Sequence, residues 1–335
     1  MEQTGKNEKV SRSRIHKYTF PVEEKLLAKF SISELAANSV TDFDLFTKIN
    51  DTWFLYASSG YFWRSNEISR LKKYGIHFFH YSTTEQKRVE TYRALGTLEL
   101  GAKLDPGLSV EERLRFLMQK SAGLTELLFT CSLGPSFIIH AKQIVNDLLQ
   151  MLLEDEPVLV HMKDLSVGSS YFNEHGFKVA AFALTLAIKL TLRDPAHLLQ
   201  IGLGALLHDV GQVQFGKEML FRPAKLDLDE TKRMIKHPIY GALELEQFHV
   251  DFITAQIVQQ HHERLDGSGY PQGMQRYEIL PEVVVVMIAD IYDGLVSSRP
   301  YQDKVNHSQA IDALRSKYQK KIDQDFVRAA SEVFP

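Results

Sequence analysis

From Asp164 onward nearly every apolar run recurs at helical spacing, and the runs are punctuated by Pro195, Gly211, Pro238, the Gly267-Ser268-Gly269 stretch and Pro300. That periodicity predicts an all-helical region. The earlier part of the chain reads differently. Phe43 to Ile49 and Thr52 to Ser58 are β-rich and joined by Asn50-Asp51, a pair suited to a tight hairpin turn. Ser65 can cap a short helix that Gly75 ends, Ile76 to Tyr81 reads as a further strand, and Thr84 to Leu95 as a polar helix. Val110 to Glu154 reads as two helices broken at Gly134-Pro135, and Glu154 to Pro157 forms an acidic, proline-ended boundary.

The expected fold class is therefore α+β: a small N-terminal α/β domain followed by an all-α domain. The expected boundaries are 1–105 for the α/β domain, 106–165 for a helical connector and 166–335 for the helical domain. A chain of 335 residues is long enough for two cores. No catalytic constellation appears near Phe43 to Tyr92, which leaves that domain a regulatory or partner-binding role.

Composition narrows the chemistry. A net charge of -3 gives no broad reason to bind a nucleic acid polymer. Cys131 is the single cysteine, so disulfides and cysteine-rich zinc sites are excluded, and any metal must sit on histidine and carboxylate. No apolar run reaches the roughly 18 residues that a membrane span needs, and the expected location is cytoplasmic. Met1 to Lys17 is polar and mostly basic at its charged positions, and reads as a loose leader.

His175 lies in line with Val179, Phe182 and Leu186 on one helix face, where a buried histidine taken alone is more often a satisfied core residue. His208-Asp209 follows the apolar stretch Leu198 to Leu207, and Val210-Gly211 then ends the helix. The pair reads as readily as a helix cap as a ligand pair. His237 precedes Pro238, so a helix opened by the Asp227 and Glu230 capping box should kink there. His261 continues the face of Ile253 and Ile257, while His262 lies about 100° around the helix. Asp290 sits among Val284, Val285, Val286, Met287, Ile288, Ala289 and Ile291, where a lone carboxylate needs a cation. Five imidazoles and two carboxylates exceed what one tetrahedral zinc takes, and suit two ions of iron or manganese type.

The order His175, His208-Asp209, His237, then His261-His262-Glu263-Arg264-Leu265-Asp266-Gly267-Ser268-Gly269-Tyr270-Pro271, then Asp290, closely resembles the HD-GYP family of cyclic dinucleotide phosphodiesterases. The resemblance covers roughly residues 166 to 320 and extends to Arg299-Pro300-Tyr301. It implies one metal held by His175, His208, Asp209 and Asp290, and a second by Asp209, His237, His261 and His262, with Asp209 as catalytic bridge. The implied reaction is hydrolysis of cyclic di-GMP to a linear dinucleotide or GMP by a hydroxide bridging two divalent ions. Some members hold a third metal through a glutamate one turn before the first histidine. Tyr171 stands there, and Glu174 is on the wrong face.

Gly269, Tyr270 and Pro271 of the Gly-Tyr-Pro loop, together with Arg299, resemble the family's substrate-facing elements, and the same face could meet a cyclase-domain partner. Two positions depart from the pattern. Gln212 replaces the lysine of HD-x-G-Lys, and Gln302 replaces the basic residue after Arg-Pro-Tyr. A phosphate-facing ammonium of this kind can contribute roughly 2.7–4 kcal/mol to a transition state. The alternative expectation is accordingly a weak or inactive relative acting as a cyclic dinucleotide receptor or docking module. Arg222 and Lys225 could compensate if their segment folds over the site.

Overall fold

The computed structural model describes residues 24–37, 39–97, 104–130, 133–154, 158–162, 165–168, 170–192, 194–222, 224–298 and 304–335. Arg299 and Gln302 lie outside these described residues. The chain divides into two compact units, Met1–Arg93 and Ala94–Pro335.

The first unit contains strands β1 (Leu27–Ser31), β2 (Ser39–Thr41), β3 (Leu45–Ile49), β4 (Thr52–Ala57) and β5 (Tyr61–Trp63), helix α1 (Ser65–Lys73), strand β6 (Phe78–Ser82) and most of helix α2 (Gln86–Thr97). An antiparallel four-stranded sheet runs β1-β6-β3-β4, and β2 pairs with β5 as a separate ribbon. The hairpin between β3 and β4 turns on Asn50 (φ 47) and Asp51 (φ 61), both in the left-handed region that a tight primed turn requires. Phe30, Phe43, Trp63 and Phe79 fill the core, with the Phe30 and Phe43 rings edge to face at 5.3 Å. The helix start differs from the reading by one residue: Arg64 is the cap, its N–H donating to Glu67 Oε2 at 3.2 Å, and Ser65 is the first helical residue.

The second unit is helical: α3 (Val110–Leu127), α4 (Pro135–Leu153), α5 (Val158–Met162), α6 (Tyr171–Lys189), α7 (Pro195–Leu207), α8 (Gly216–Leu220), α9 (Leu228–Met234), α10 (His237–Glu246), α11 (Phe252–Gln260), α12 (Pro281–Val296), α13 (His307–Ser316) and α14 (Gln324–Val333). The helices expected as a connector are not a spacer. Leu114 and Leu117 of α3 and Leu148 of α4 share one buried cluster with Leu184, Leu203, Val258 and Ile288. Helical periodicity in that stretch showed that a face is buried but could not show against what.

Two glycines set how closely the site-bearing elements approach. A Cβ on Gly176 of α6 would lie 2.6 Å from the carbonyl of Leu206 on α7. A Cβ on Gly211, just after the His-Asp pair, would lie 2.1 Å from the carbonyl of His237 and 2.5 Å from the Gly241 nitrogen on α10. The expected kink at His237-Pro238 is instead a break. The Asp227–Glu230 capping box opens α9, which ends at Met234, and α10 begins at His237 with Pro238 in its first turn. Among the described residues, no helix is long and apolar enough to cross a membrane.

Candidate metal centre

Five elements deliver the candidate ligands to one place. His175 is in the first turns of α6, His208 caps the C-terminus of α7 with Asp209 next to it, His237 starts α10, His261 caps α11 with His262 beside it, and Asp290 is inside α12. Two groups form whose ligand atoms lie within 4.8 Å of one another: His175, His208 and Asp209, and then Asp209, His237, His261 and His262. Asp209 belongs to both. Its Oδ2 lies 3.4 Å from His208 Nε2 and its Oδ1 lies 3.1 Å from His237 Nε2. Asp290 also spans the groups, with Oδ1 at 3.2 Å from His175 Nε2 and Oδ2 at 3.9 Å from His262 Nδ1.

The far side of each ring decides what its near side can do. His208 Nδ1 donates to the Ala205 carbonyl at 2.7 Å, His237 Nδ1 to that of Met234 at 2.8 Å, and His261 Nδ1 to that of Val258 at 3.0 Å. His175 Nδ1 donates to Asp293 Oδ2 at 2.7 Å. A carbonyl or carboxylate oxygen only accepts, so a ring hydrogen sits on Nδ1 in all four, and each ring turns its Nε2 inward. Those nitrogens face one another: His175 and His208 at 3.2 Å, His237 and His261 at 3.1 Å. Asp209 Oδ1, buried among them, has no hydrogen-bond donor despite its closeness to His237. Ring nitrogens and carboxylate oxygens packed together in a buried place call for positive charge between them, which protons or metal ions could supply. A nitrogen and oxygen donor set without sulfur fits ions of iron or manganese type.

The electrostatics agree. In the metal-free site, burial disfavours a charged His175, yet hydrogen bonds and charge from Asp290 and Asp293 carry it up to about 10. Burial works against ionising Asp209 and Asp290, and the surrounding imidazoles nevertheless hold both carboxyls well below the usual range. Burial, against a partial offset from Asp209, lowers His261 to about 4, and burial with the neighbouring His261 also holds His262 well below its ordinary value. A proton on His175 is thus the substitute for a bound ion.

A cavity of about 730 Å³ opens onto this centre, with His175, Asp209, His262 and Asp290 among its lining residues and Tyr171, Phe172, Gln212, Phe221, Arg222 and Lys225 on its walls. The segment carrying Arg222 and Lys225 is tied down by Phe221, whose ring lies 5.7 Å from that of Phe129 and 6.0 Å from that of Phe172. Arg222 donates to Glu230 at 2.6 Å, whereas Lys225 has no ion-pair partner among the described residues.

Gly269, Tyr270 and Pro271 do not line that cavity. The Tyr270 ring lies 4.7 Å from that of His262, and a Cβ on Gly269 would meet the backbone of Glu263 and Arg264 at 2.4 Å. The loop thus packs against the histidine pair. Sequence reasoning missed one buried carboxylate, Asp293, and the role of another, Glu263. Asp293 orients His175. Glu263 accepts from the Gln272 and Met274 N–H groups at 2.6 and 2.9 Å and so pins the loop. The signal for Asp293 was its position one turn after Asp290 on an apolar helix.

A model of the HD domain family matches residues 147–326. The chain belongs to the HD domain family. Its His-His-Glu to Gly-Tyr-Pro segment makes it an HD-GYP member. The match starts within α4, which is consistent with that helix packing into the second unit. The chain is 32% identical over 173 residues to the cyclic di-GMP phosphodiesterase PA4108 of Pseudomonas aeruginosa, covering 51% of this chain and 42% of that one. It is 27% identical over 237 residues to the 3'3'-cGAMP-specific phosphodiesterase 3 of Vibrio cholerae, covering 65% and 51%. The chain thus spans about half the length of these curated relatives. Among solved structures, Bd1817, an HDG"Y"P protein from Bdellovibrio bacteriovorus, shares the fold at a TM-score of 0.59 and 21% identity, over 92% of this chain and 99% of that one.

Proposed function

We propose that this protein is a metal-dependent phosphodiesterase that opens cyclic di-GMP at a two-ion centre. His175, His208, Asp209 and Asp290 would hold one ion and Asp209, His237, His261 and His262 the other. The observation that carries this reading is the set of four Nε2 atoms gathered about Asp209, those of His237 and His261 at its Oδ1, which has no donor, and those of His175 and His208 at its Oδ2. Bound there, two divalent ions would supply an activated water and neutralise charge on the phosphate. The protein's own part is to fix the imidazoles through Nδ1, to keep Asp209 and Asp290 ionised, and to hold the substrate against Gln212 and Lys225 in the cavity. Relatives named for cyclic di-GMP and for cGAMP support a cyclic dinucleotide as substrate class.

One observation favours a second reading, a receptor that binds the dinucleotide and turns it over slowly. Gln212 lines the cavity with no charge to offer a phosphate. Incubating manganese- or iron-loaded protein with cyclic di-GMP, with Asp209→Ala as the blank, separates the two. Linear product that requires metal and Asp209 supports the enzyme; binding without product supports the receptor; neither one refutes both.

A further inference from the structure

Helix α10 has one packed face and one open face. Pro238, Gly241 and Leu245 are buried, and a Cβ on Gly241 would lie 2.9 Å from Val258 and 3.2 Å from the Gly211 nitrogen, so that side is pressed into the helical unit. The opposite side carries Ile239, 39% exposed, and Leu243, 56% exposed, one turn apart. Lys236 stands three residues before Ile239 and Glu246 three residues after Leu243, and both are exposed. On a helix these four positions fall within about 80° of arc. They form one stripe with a positive end, an apolar middle and a negative end. Among the described residues, neither Lys236 nor Glu246 has an ion-pair partner. Leu228, 82% exposed at the start of α9, and Ile235, 37% exposed at its end, add apolar surface nearby.

Apolar side chains grouped on a surface and rimmed by charge mark a contact face, and the order of the residues decides which partner fits. Laid antiparallel on a second stripe about residue 241, Ile239 meets Leu243 and Lys236 meets Glu246, and a twofold axis makes each contact occur twice. Parallel pairing would set Lys236 on Lys236 and Glu246 on Glu246. The spacing is self-complementary in one direction only.

We propose that this face of α10 binds the same face of a second copy of the chain, antiparallel, in a twofold dimer. The face is one helix of 10 residues, about 15 Å long, and is small beside the roughly 800 Å² per partner of a standard interface. The dimer is therefore weak, with a Kd in the micromolar range. The stripe uses none of the candidate metal ligands, so the interface does not rest on the proposed metal centre.

Sedimentation equilibrium of the full chain, at concentrations spanning the micromolar range, tests the pairing. The expected result is a monomer–dimer equilibrium. Leu243→Glu sets a charge in the apolar middle of both copies and should leave monomer at every concentration, with an unchanged circular dichroism spectrum. Lys236→Glu and Glu246→Lys should each weaken association by about tenfold or more, because each turns both symmetry-related pairs into like charges. Lys236→Glu combined with Glu246→Lys should restore the original Kd, since the ends are exchanged and again complementary. A chain that stays monomeric throughout overturns the dimer. Association that Leu243→Glu leaves intact overturns the surface. Single charge changes without effect, or a combined variant that fails to recover, overturn the antiparallel pairing.

Discussion

Gly211→Ala is a one-carbon test of whether the second ion depends on the approach of α10 to the His-Asp turn. The added Cβ would sit 2.1 Å from the His237 carbonyl oxygen, whereas ordinary contacts begin at 3.4 Å, so about 1.3 Å must be found by moving backbone. That carbonyl belongs to a candidate ligand itself. His237 Nε2 now lies 3.1 Å from both Asp209 Oδ1 and His261 Nε2. Metal sites tolerate ligand displacements of only about 0.2 Å, so a shift several times larger should abolish binding at the second group. The first group shares Asp209 but takes its other ligands from α6, α7 and α12, which the clash does not touch. Overpacking of this kind costs about 1–3 kcal/mol, less than the stability of an ordinary domain, so the variant should fold. Elemental analysis of manganese-loaded protein should show the stoichiometry falling from two ions to one. The melting temperature should drop by about 2–4 °C per kcal/mol. Gly96→Ala, which meets nothing within 4 Å, is the control. A folded Gly211→Ala protein that keeps both ions would refute the geometric reasoning.

Three further outcomes follow from the same geometry. Gln212→Lys places an ammonium on the cavity wall and should raise kcat on cyclic di-GMP by up to about 100-fold; a change confined to KM would count against a transition-state role. Asp293→Asn keeps the shape but removes the charge that orients His175, and should weaken one of two manganese-binding steps about 10–100-fold when titrated at pH 9; two unaltered steps would remove Asp293 from the site. His140 is lowered to about 4 by burial and by the nearby Lys120. Because the folded value lies below the unfolded one, the unfolded chain takes up the proton first, and stability should fall as pH drops from about 6.5 to about 4, by up to about 3 kcal/mol. Urea unfolding of His140→Gln should show a flatter dependence across that window, and an identical slope would exclude His140.

The ligands were legible because the features that make a metal site sit in adjacent letters: His208 beside Asp209, His261 beside His262, Asp290 alone in an apolar run. What orients them was not. Asp293 meets His175 across 118 residues of sequence, and nothing in either neighbourhood names the other. Carbonyls of Ala205, Met234 and Val258 fix three tautomers, and backbone groups look alike at every position. The Gly-Tyr-Pro letters marked a special loop but not the direction it faces. Glu263, read as part of a motif, is the buried anchor for that loop. The hairpin was visible since Asn50-Asp51 tolerates left-handed backbone. The role of α3 and α4 was hidden because an amphipathic face does not specify its partner.

Asp209 stands in both ligand groups, and the rings around it are carried by α6, α7, α10 and α11, with α12 adding Asp290. On the proposed reading, a centre of that kind would work as a clasp as well as a catalyst. Without metal, protons would be all that holds its nitrogens and carboxylates together, so the metal-starved chain should open locally more often and offer proteases more of its backbone. Supply of the metal would then set how long each copy of the protein survives, before any substrate arrives.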